Sequence, residues 1–148
     1  MNTQRSLPVW LVCLWLSCSL SARAQTQNFR AATASSYIER GNEWFTKGEY
    51  ARAEADFTLA IASDPSQANA YYNRATTRCR LDKLPDALAD FDRALQLNPQ
   101  LLIAYVDRAG VRYTQGDIAG AIRDCDKAIE LNPKLALAWG NRAVARSR

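Results

Sequence analysis

The feature that most constrains this chain is a turn signal that returns at a fixed spacing. Asp64-Pro65, Asn98-Pro99 and Asn132-Pro133 place three prolines 34 residues apart. Because proline has no N–H and clashes with the preceding turn, each of these pairs ends a helix. A repeat of this length indicates stacked helical hairpins, each of which buries too little surface to fold alone.

Six further rows of residues keep the same step in register, which chance does not explain. Small side chains in two of the rows let antiparallel helices approach closely, and a row of rings fills the space between hairpins. The rows are Ala53, Ala87 and Ala121; Ala60, Ala94 and Ala128; Tyr37, Tyr71, Tyr105 and Trp139; Ile61, Leu95 and Ile129; Arg40, Arg74, Arg108 and Arg142; and Asp56, Asp90 and Asp124.

Within each unit, apolar residues recur at three- and four-residue steps, which is the spacing of one helix face. No stretch alternates with the two-residue period of a strand. Gly48 ends the first helix, since glycine takes a left-handed cap at no steric cost. We predict helix pairs near 34–47 with 50–63, 68–81 with 84–97, and 102–115 with 118–131, and a single helix from Ala136.

The first 24 residues differ from the repeats and indicate a secretory signal. Arg5 gives a positive start, Leu7–Leu20 is an apolar run, and Ala22–Ala24 is an A-x-A cleavage site. The run is shorter than the roughly 18 residues that a membrane span needs. We therefore predict a cleaved signal at 1–24, export to the periplasm or the outside, and a flexible lead-in at 25–33; an uncleaved membrane anchor is the alternative.

The composition argues against several classes of function. The chain has no histidine, and its net charge of +4 falls to +2 without Arg5 and Arg23 of the signal, so no basic nucleic-acid surface is indicated. The glycines form no phosphate-binding loop, and Cys79 and Cys125 are too few for a zinc site. We predict no enzyme activity, no catalytic residue, no cofactor, no metal, and neither a nucleic-acid nor a small-molecule partner.

Over about residues 34–148 the repeat resembles the tetratricopeptide repeat family. The family pattern is an aromatic early in the first helix, a small residue four on, alanines around an aromatic in the second helix, and a closing proline. The matching residues are Tyr37, Gly41, Trp44, Ala53, Phe57, Ala60 and Pro65; Tyr71, Ala75, Ala87, Phe91, Ala94 and Pro99; Tyr105, Ala109, Ala121, Ala128 and Pro133; and Trp139 and Ala143.

The resemblance implies an all-α, right-handed superhelical solenoid of antiparallel helix hairpins. Its repeats would be 34–67, 68–101 and 102–135, with a partial repeat at 136–148. The stacking order of the family keeps Cys79 and Cys125 apart, so we expect two free thiols.

Several residues depart from the family pattern. Arg78 and Arg112 stand where an aromatic is usual, Cys125 replaces the ring of the second helix, and arginines recur where leucine is common. A guanidinium near a helix seam needs a partner. The aspartates of the same period, with Asp92 and Asp126 beside them, predict an arginine–aspartate ladder between paired helices; a charged ligand site is the alternative.

In the family, ligands bind along the first helix of each repeat, on the concave face. Here that implies a groove that binds a protein or peptide segment. Together with the predicted export signal, it leads us to expect an adaptor in the bacterial cell envelope. The alternative is a structural or self-assembling module, or a fragment of a longer array, that associates through its uncovered last helix, with a homodimer as one outcome. The implied groove residues are Ile38, Asn42, Phe45, Asn69, Tyr72, Asn73, Thr76, Arg80, Ile103, Val106, Asp107 and Tyr113.

Members of the family that bind chaperone tails hold a C-terminal carboxylate with three cationic residues and two asparagines. Asn42 and Asn73 match the asparagines, but Ile38, Ile103 and Asp107 stand where the cations would be. Because Asp107 would repel a carboxylate, the sequence predicts that this chain is not a heat-shock co-chaperone.

Overall fold

The computed structural model describes the backbone of residues 9–147 and the side chains of residues 25–147. All regular structure in this range is helical, which confirms the all-α prediction. From α2 onward the helix boundaries agree with the predicted ones to within about two residues, which is inside the usual uncertainty of helix ends. The helices are α1 (Val9–Thr46), α2 (Tyr50–Ser63), α3 (Ala68–Arg80), α4 (Leu84–Leu97), α5 (Leu102–Thr114), α6 (Ile118–Leu131) and α7 (Ala136–Arg146).

The three prolines lie in the turns between hairpins, as the spacing predicts. The residue before each proline shapes its turn. The side-chain oxygens of Asp64, Asn98 and Asn132 each accept the backbone N–H two residues on, at 3.0 Å. Aspartate and asparagine are favoured there because this short bond reproduces a turn of the main chain.

Two residues after the first helix of each hairpin ends, the chain has a residue with left-handed backbone. Gly48 has φ 78°, Asp82 has φ 58° and Gly116 has φ 83°, and the three positions keep the repeat spacing. Glycine adopts this conformation freely, and aspartate is among the few other residues that tolerate it. The turn inside each hairpin is therefore the same in all three units.

The beginning of α1 differs from the prediction. Residues 25–33, expected as a flexible lead-in, continue the helix, and Thr33 Oγ1 donates to the Phe29 carbonyl at 2.9 Å. No glycine or proline interrupts the chain from Gln25 to Arg40, so nothing local stops a helix there. The side chains of the predicted signal, 1–24, and its cleavage site lie outside the described set. In the described part of the chain, no helix combines the length and apolar character needed to cross a membrane.

The core follows the repeat. The alanine rows of α2, α4 and α6 are fully buried, and Phe57 and Phe91 fill the space beneath them. At Gly41 the approach of α1 and α2 is so close that an added Cβ would lie 2.6 Å from the Phe57 ring. Each hairpin packs against the next through α2 with α3, α4 with α5, and α6 with α7. Stacking thus aligns α1, α3, α5 and α7 along one side of the molecule.

Candidate functional site

An arginine–aspartate ladder runs along the seam between the paired helices, as predicted. In each rung, Nε and one Nη of the arginine donate to both carboxylate oxygens at 2.6–2.9 Å. The carboxylates are buried, with 4–7% of each side chain exposed. This two-point geometry is the strongest form of a guanidinium–carboxylate bond. The rungs are Arg40–Asp56, Arg74–Asp90 and Arg108–Asp124.

The ladder also joins neighbouring hairpins, which the sequence prediction did not include. Arg108 donates to Asp92, which lies on α4 of the preceding hairpin, at 2.5 Å. Arg142 of α7 reaches back to Asp126 of α6 at 2.8 Å in the same way. The ladder therefore holds the stack together as well as each hairpin.

The two arginines that depart from the family pattern belong to the ladder. Arg78 donates to Asp90 at 2.8 Å, and Arg112 donates to Asp124 at 2.9 Å, so each of these aspartates binds two guanidinium groups. Trp44 has the equivalent place in the first hairpin, where it helps to lower the pKa of Asp56. The two arginines thus add donors to the buried carboxylates, and the ligand-site alternative for these charges loses its support.

The charge of the first rung is stabilised by its partners. The hydrogen bonds from Arg40 hold the pKa of Asp56 below its ordinary value, although burial acts in the opposite direction. The Arg40 side chain is 52% exposed, whereas those of Arg74 and Arg108 are 14% and 13% exposed. The first rung is therefore more strongly screened by water than the other two.

Both cysteines in the described part of the chain are free thiols, as predicted. Cys125 is buried beneath α7, and Cys79 is half-buried on α3. Burial raises the pKa of both thiols, which makes them poor nucleophiles at neutral pH.

Three adjoining cavities, called the groove below, lie along the side formed by α1, α3, α5 and α7. The first, of about 170 Å³, lies between α1 and α3 and shares Thr76 with the second, of about 500 Å³, between α3 and α5. The second shares Gly110 and Asn141 with the third, of about 100 Å³, against α7. A row that crosses four helices suits an extended segment better than one compact molecule.

The central cavity combines an apolar wall with one carboxylate. Phe91 and Val106 belong to the wall, and Asp107 Oδ2 accepts a hydrogen bond from the Tyr72 hydroxyl at 2.9 Å. Burial raises the pKa of Asp107, while Tyr72 and the nearby Arg80 act in the opposite direction. Burial also raises the pKa of Tyr72 to about 12, with Asp107 adding to the rise, so the hydroxyl stays a donor.

Two asparagines form an amide pair at the first cavity. Asn73 Nδ2 donates to Asn42 Oδ1 at 2.9 Å. Each side-chain amide has both donors and an acceptor, so the pair still presents the Asn42 amino group and the Asn73 carbonyl. A peptide backbone can bond to both groups at once.

The structure brings most of the predicted groove residues together, but Ile38, Asn69 and Ile103 line none of the cavities. Val106 is only 3% exposed, so it contributes to the cavity floor and not to the contact surface. The predicted set does not include Leu137 and Asn141 of α7, which also line the central cavity. The predicted residues that line the cavities are Asn42, Phe45, Tyr72, Asn73, Thr76, Arg80, Val106, Asp107 and Tyr113.

Known proteins share this architecture. Residues 68–101, which hold α3, α4 and the turn after them, match the family model described as Tetratricopeptide repeat. The fold is similar to the first TPR of Spaghetti (RPAP3) bound to HSP90 peptide SRMEEVD. The TM-score is 0.77 and the identity 27%, over 79% of this chain and 93% of that one. The fold is a tetratricopeptide repeat solenoid.

Two further known proteins are similar to this tetratricopeptide solenoid. The second TPR domain of human RPAP3, in complex with HSP70 peptide SGPTIEEVD, has a TM-score of 0.74 and 25% identity, over 82% of this chain and 99% of that one. Hsp70-Hsp90 organizing protein 1 of Glycine max is 36% identical over 64 residues, which is 43% of this chain. This match spans 11% of that relative's length.

Proposed function

We propose that this chain is a non-enzymatic adaptor that binds an extended segment of another protein in the groove. The observation that carries the proposal is the row of adjoining cavities along α1, α3, α5 and α7. At one end the amide pair of Asn42 and Asn73 is suited to a peptide backbone, and apolar walls with one carboxylate accept side chains in the centre.

Similar solenoids support this proposal. The Spaghetti and human RPAP3 domains are described with short HSP90 and HSP70 peptides, so a solenoid of this size accommodates such segments. The partner of the present chain differs in chemistry, since those peptides end in EEVD and carry a dense negative charge. Ile38, Ile103 and Asp107 supply no cation for such a tail, and Asp107 would repel it.

A pair of glycines offers a sharp test of the groove. Gly110 and Gly140 are both exposed, both lie inside helices, and an added Cβ at either would meet no atom within 4 Å. Only Gly110 lines the groove, where it borders two cavities. Gly110→Gln therefore fills the groove without disturbing the fold, and Gly140→Gln is the matched control.

The probe is a peptide selected from a random displayed library on the wild-type protein. We expect Gly110→Gln to weaken binding of this peptide by about tenfold or more in isothermal titration, since each 1.4 kcal/mol of lost contact corresponds to a factor of ten. Gly140→Gln should bind like wild type. Equal binding by both variants would place the peptide elsewhere and overturn the proposal.

We also propose that the adaptor acts outside the cytoplasm, in the periplasm or after secretion. The support is the sequence of residues 1–24, with its positive start, apolar run and A-x-A site. Intact mass measurement of the protein from its own cells should give a chain that begins at Gln25. A mass that includes Met1 or the apolar run would contradict cleavage.

Self-association through α7 is the second candidate, and exposed apolar residues favour it. Leu137, Trp139 and Val144 are 53%, 43% and 53% exposed. Leu137 and Val144 line the groove, however, and Arg142 stacks over the Trp139 ring at 4.3 Å. Light scattering over a range of concentrations tests this candidate: a dimer abolished by Trp139→Asp would support it over the adaptor.

A further inference from the structure

Asp107 differs from the buried aspartates of the ladder because it forms no ion pair with any side chain that the structure describes. Asp56, Asp90 and Asp124 each form an ion pair with at least one arginine. Among the described residues, no lysine or arginine lies within ion-pair distance of Asp107. Arg80 is near enough to lower the pKa of this half-buried carboxylate but forms no ion pair with it, so the charge of Asp107 is less well compensated than the charges of the ladder aspartates.

The geometry leaves one oxygen of this carboxylate available. Oδ2 accepts the Tyr72 hydroxyl at 2.9 Å, and no hydrogen bond within the described residues involves Oδ1. Asp107 lines the central cavity of about 500 Å³, so its remaining acceptor capacity faces the space that a bound segment would enter. Tyr72 fixes the orientation of the carboxylate and is thus a positioning residue.

The walls around Asp107 favour a long side chain with a charged end. Phe91, Val106 and Val111 form the buried floor of the cavity, and the apolar side chains that a ligand can reach are those of half-buried Leu84 and of exposed Leu137 from α7. Lysine and arginine bury their methylene stems along apolar surface while the charged group reaches a polar partner. Arg80 lines the same cavity, is itself exposed and forms no ion pair with any described residue, so its guanidinium does not occupy the carboxylate.

We propose that the groove selects a segment carrying a lysine or arginine, whose stem packs against the apolar wall of the central cavity and whose cation binds Asp107. This inference rests on the proposed function, because it names the chemistry of the segment that the adaptor binds. It also explains why this groove has no lysine or arginine at the three positions that would hold an acidic tail.

The test uses three pools of short fluorescent peptides with the same randomised uncharged flanks. The central residue is lysine in one pool, norleucine in the second and glutamate in the third. For wild type we expect the lysine pool to bind about tenfold more tightly than the norleucine pool, as a charge-assisted hydrogen bond implies, and the glutamate pool to bind most weakly.

Asp107→Asn removes the charge but keeps an oxygen for Tyr72. We expect the lysine and norleucine pools to bind this variant equally. Asp82→Asn is the matched control, since Asp82 is exposed, lines none of the cavities and has a left-handed backbone that asparagine tolerates. It should keep the full lysine preference.

The outcomes separate this inference from the proposed function. If wild type binds all three pools equally and Gly110→Gln abolishes that binding, the groove binds peptides but the cation preference is wrong. A lysine preference that survives Asp107→Asn also overturns the inference. If no pool binds, or if Gly110→Gln leaves binding unchanged, the inference and the proposed function both fail.

Discussion

The seam and the groove of this solenoid both contain aspartates, but the surroundings of these aspartates differ. In the seam, Asp90 and Asp124 each bind two guanidinium groups, so their charges are satisfied inside the fold. In the groove, the Tyr72 hydroxyl is the hydrogen-bond donor that Asp107 finds among the described side chains, and Arg80 is near but forms no ion pair with it. The difference teaches that the charges that recur with the repeat hold the stack together, whereas the aspartate outside this pattern lies where we propose that a partner binds.

The largest expected effect comes from one chemical change made in both regions. Asp124→Asn leaves Arg108 and Arg112 without their buried carboxylate, and we expect the free energy of unfolding to fall by about 3 kcal/mol. Asp107→Asn keeps an acceptor for Tyr72 and removes an unpaired charge, so the change should stay within about 1 kcal/mol. Urea unfolding at neutral pH measures both values.

A similar loss of stability in the two variants would contradict this difference between the seam and the groove. A large loss for Asp107→Asn would mean that this carboxylate also supports the fold. A small loss for Asp124→Asn would mean that water replaces the ladder at little cost.

A second pair of substitutions replaces one glycine of the seam and one glycine of the groove by alanine. At Gly41 of the seam, the methyl group of alanine would lie 2.6 Å from the buried Phe57 ring, and overpacking of this kind costs about 1–3 kcal/mol. At Gly110 of the groove there is open space, and alanine should stabilise α5 by about 0.5–1 kcal/mol. Thermal unfolding should move in opposite directions for the two variants, and a rise for both would show that the seam has spare room.

The smallest effect that we expect is on the loss of folding stability at acidic pH. Because the pKa of Asp56 is lowered in the folded state, the stability that Arg40 and Asp56 contribute is present at neutral pH. It is lost as the pH falls through the depressed value. Urea unfolding at neutral pH and at about pH 3 should show a smaller acid loss for Asp56→Asn than for wild type. Since half of the Arg40 side chain is exposed, added salt should shrink the difference; an equal acid loss in both proteins would contradict this assignment.

Local signals explain what the sequence predicted well. The prolines and the left-handed Gly48 and Gly116 act within a few residues, so the helix boundaries after Thr46 follow from them. The helical continuation of α1 through 25–33 was missed because no local stop signal exists there, and polar composition alone suggested a lead-in.

Contacts between hairpins were harder to predict. The ladder within a hairpin follows from the shared period of its residues, but the bond from Arg108 to Asp92 depends on how one hairpin stacks on the next. The same holds for Tyr72 and Asp107, which lie 35 residues apart and meet only across the α3–α5 contact. The groove residues of α7 were missed for the same reason.

The account depends most on the groove being the binding surface. Its most direct test is NMR mapping of backbone amides in the wild-type protein during titration with a lysine-centred peptide. We expect the largest shifts at Tyr72, Asn73, Asp107 and Gly110. Shifts confined to Trp139 and its neighbours, or to the outer helices α2, α4 and α6, would contradict the account.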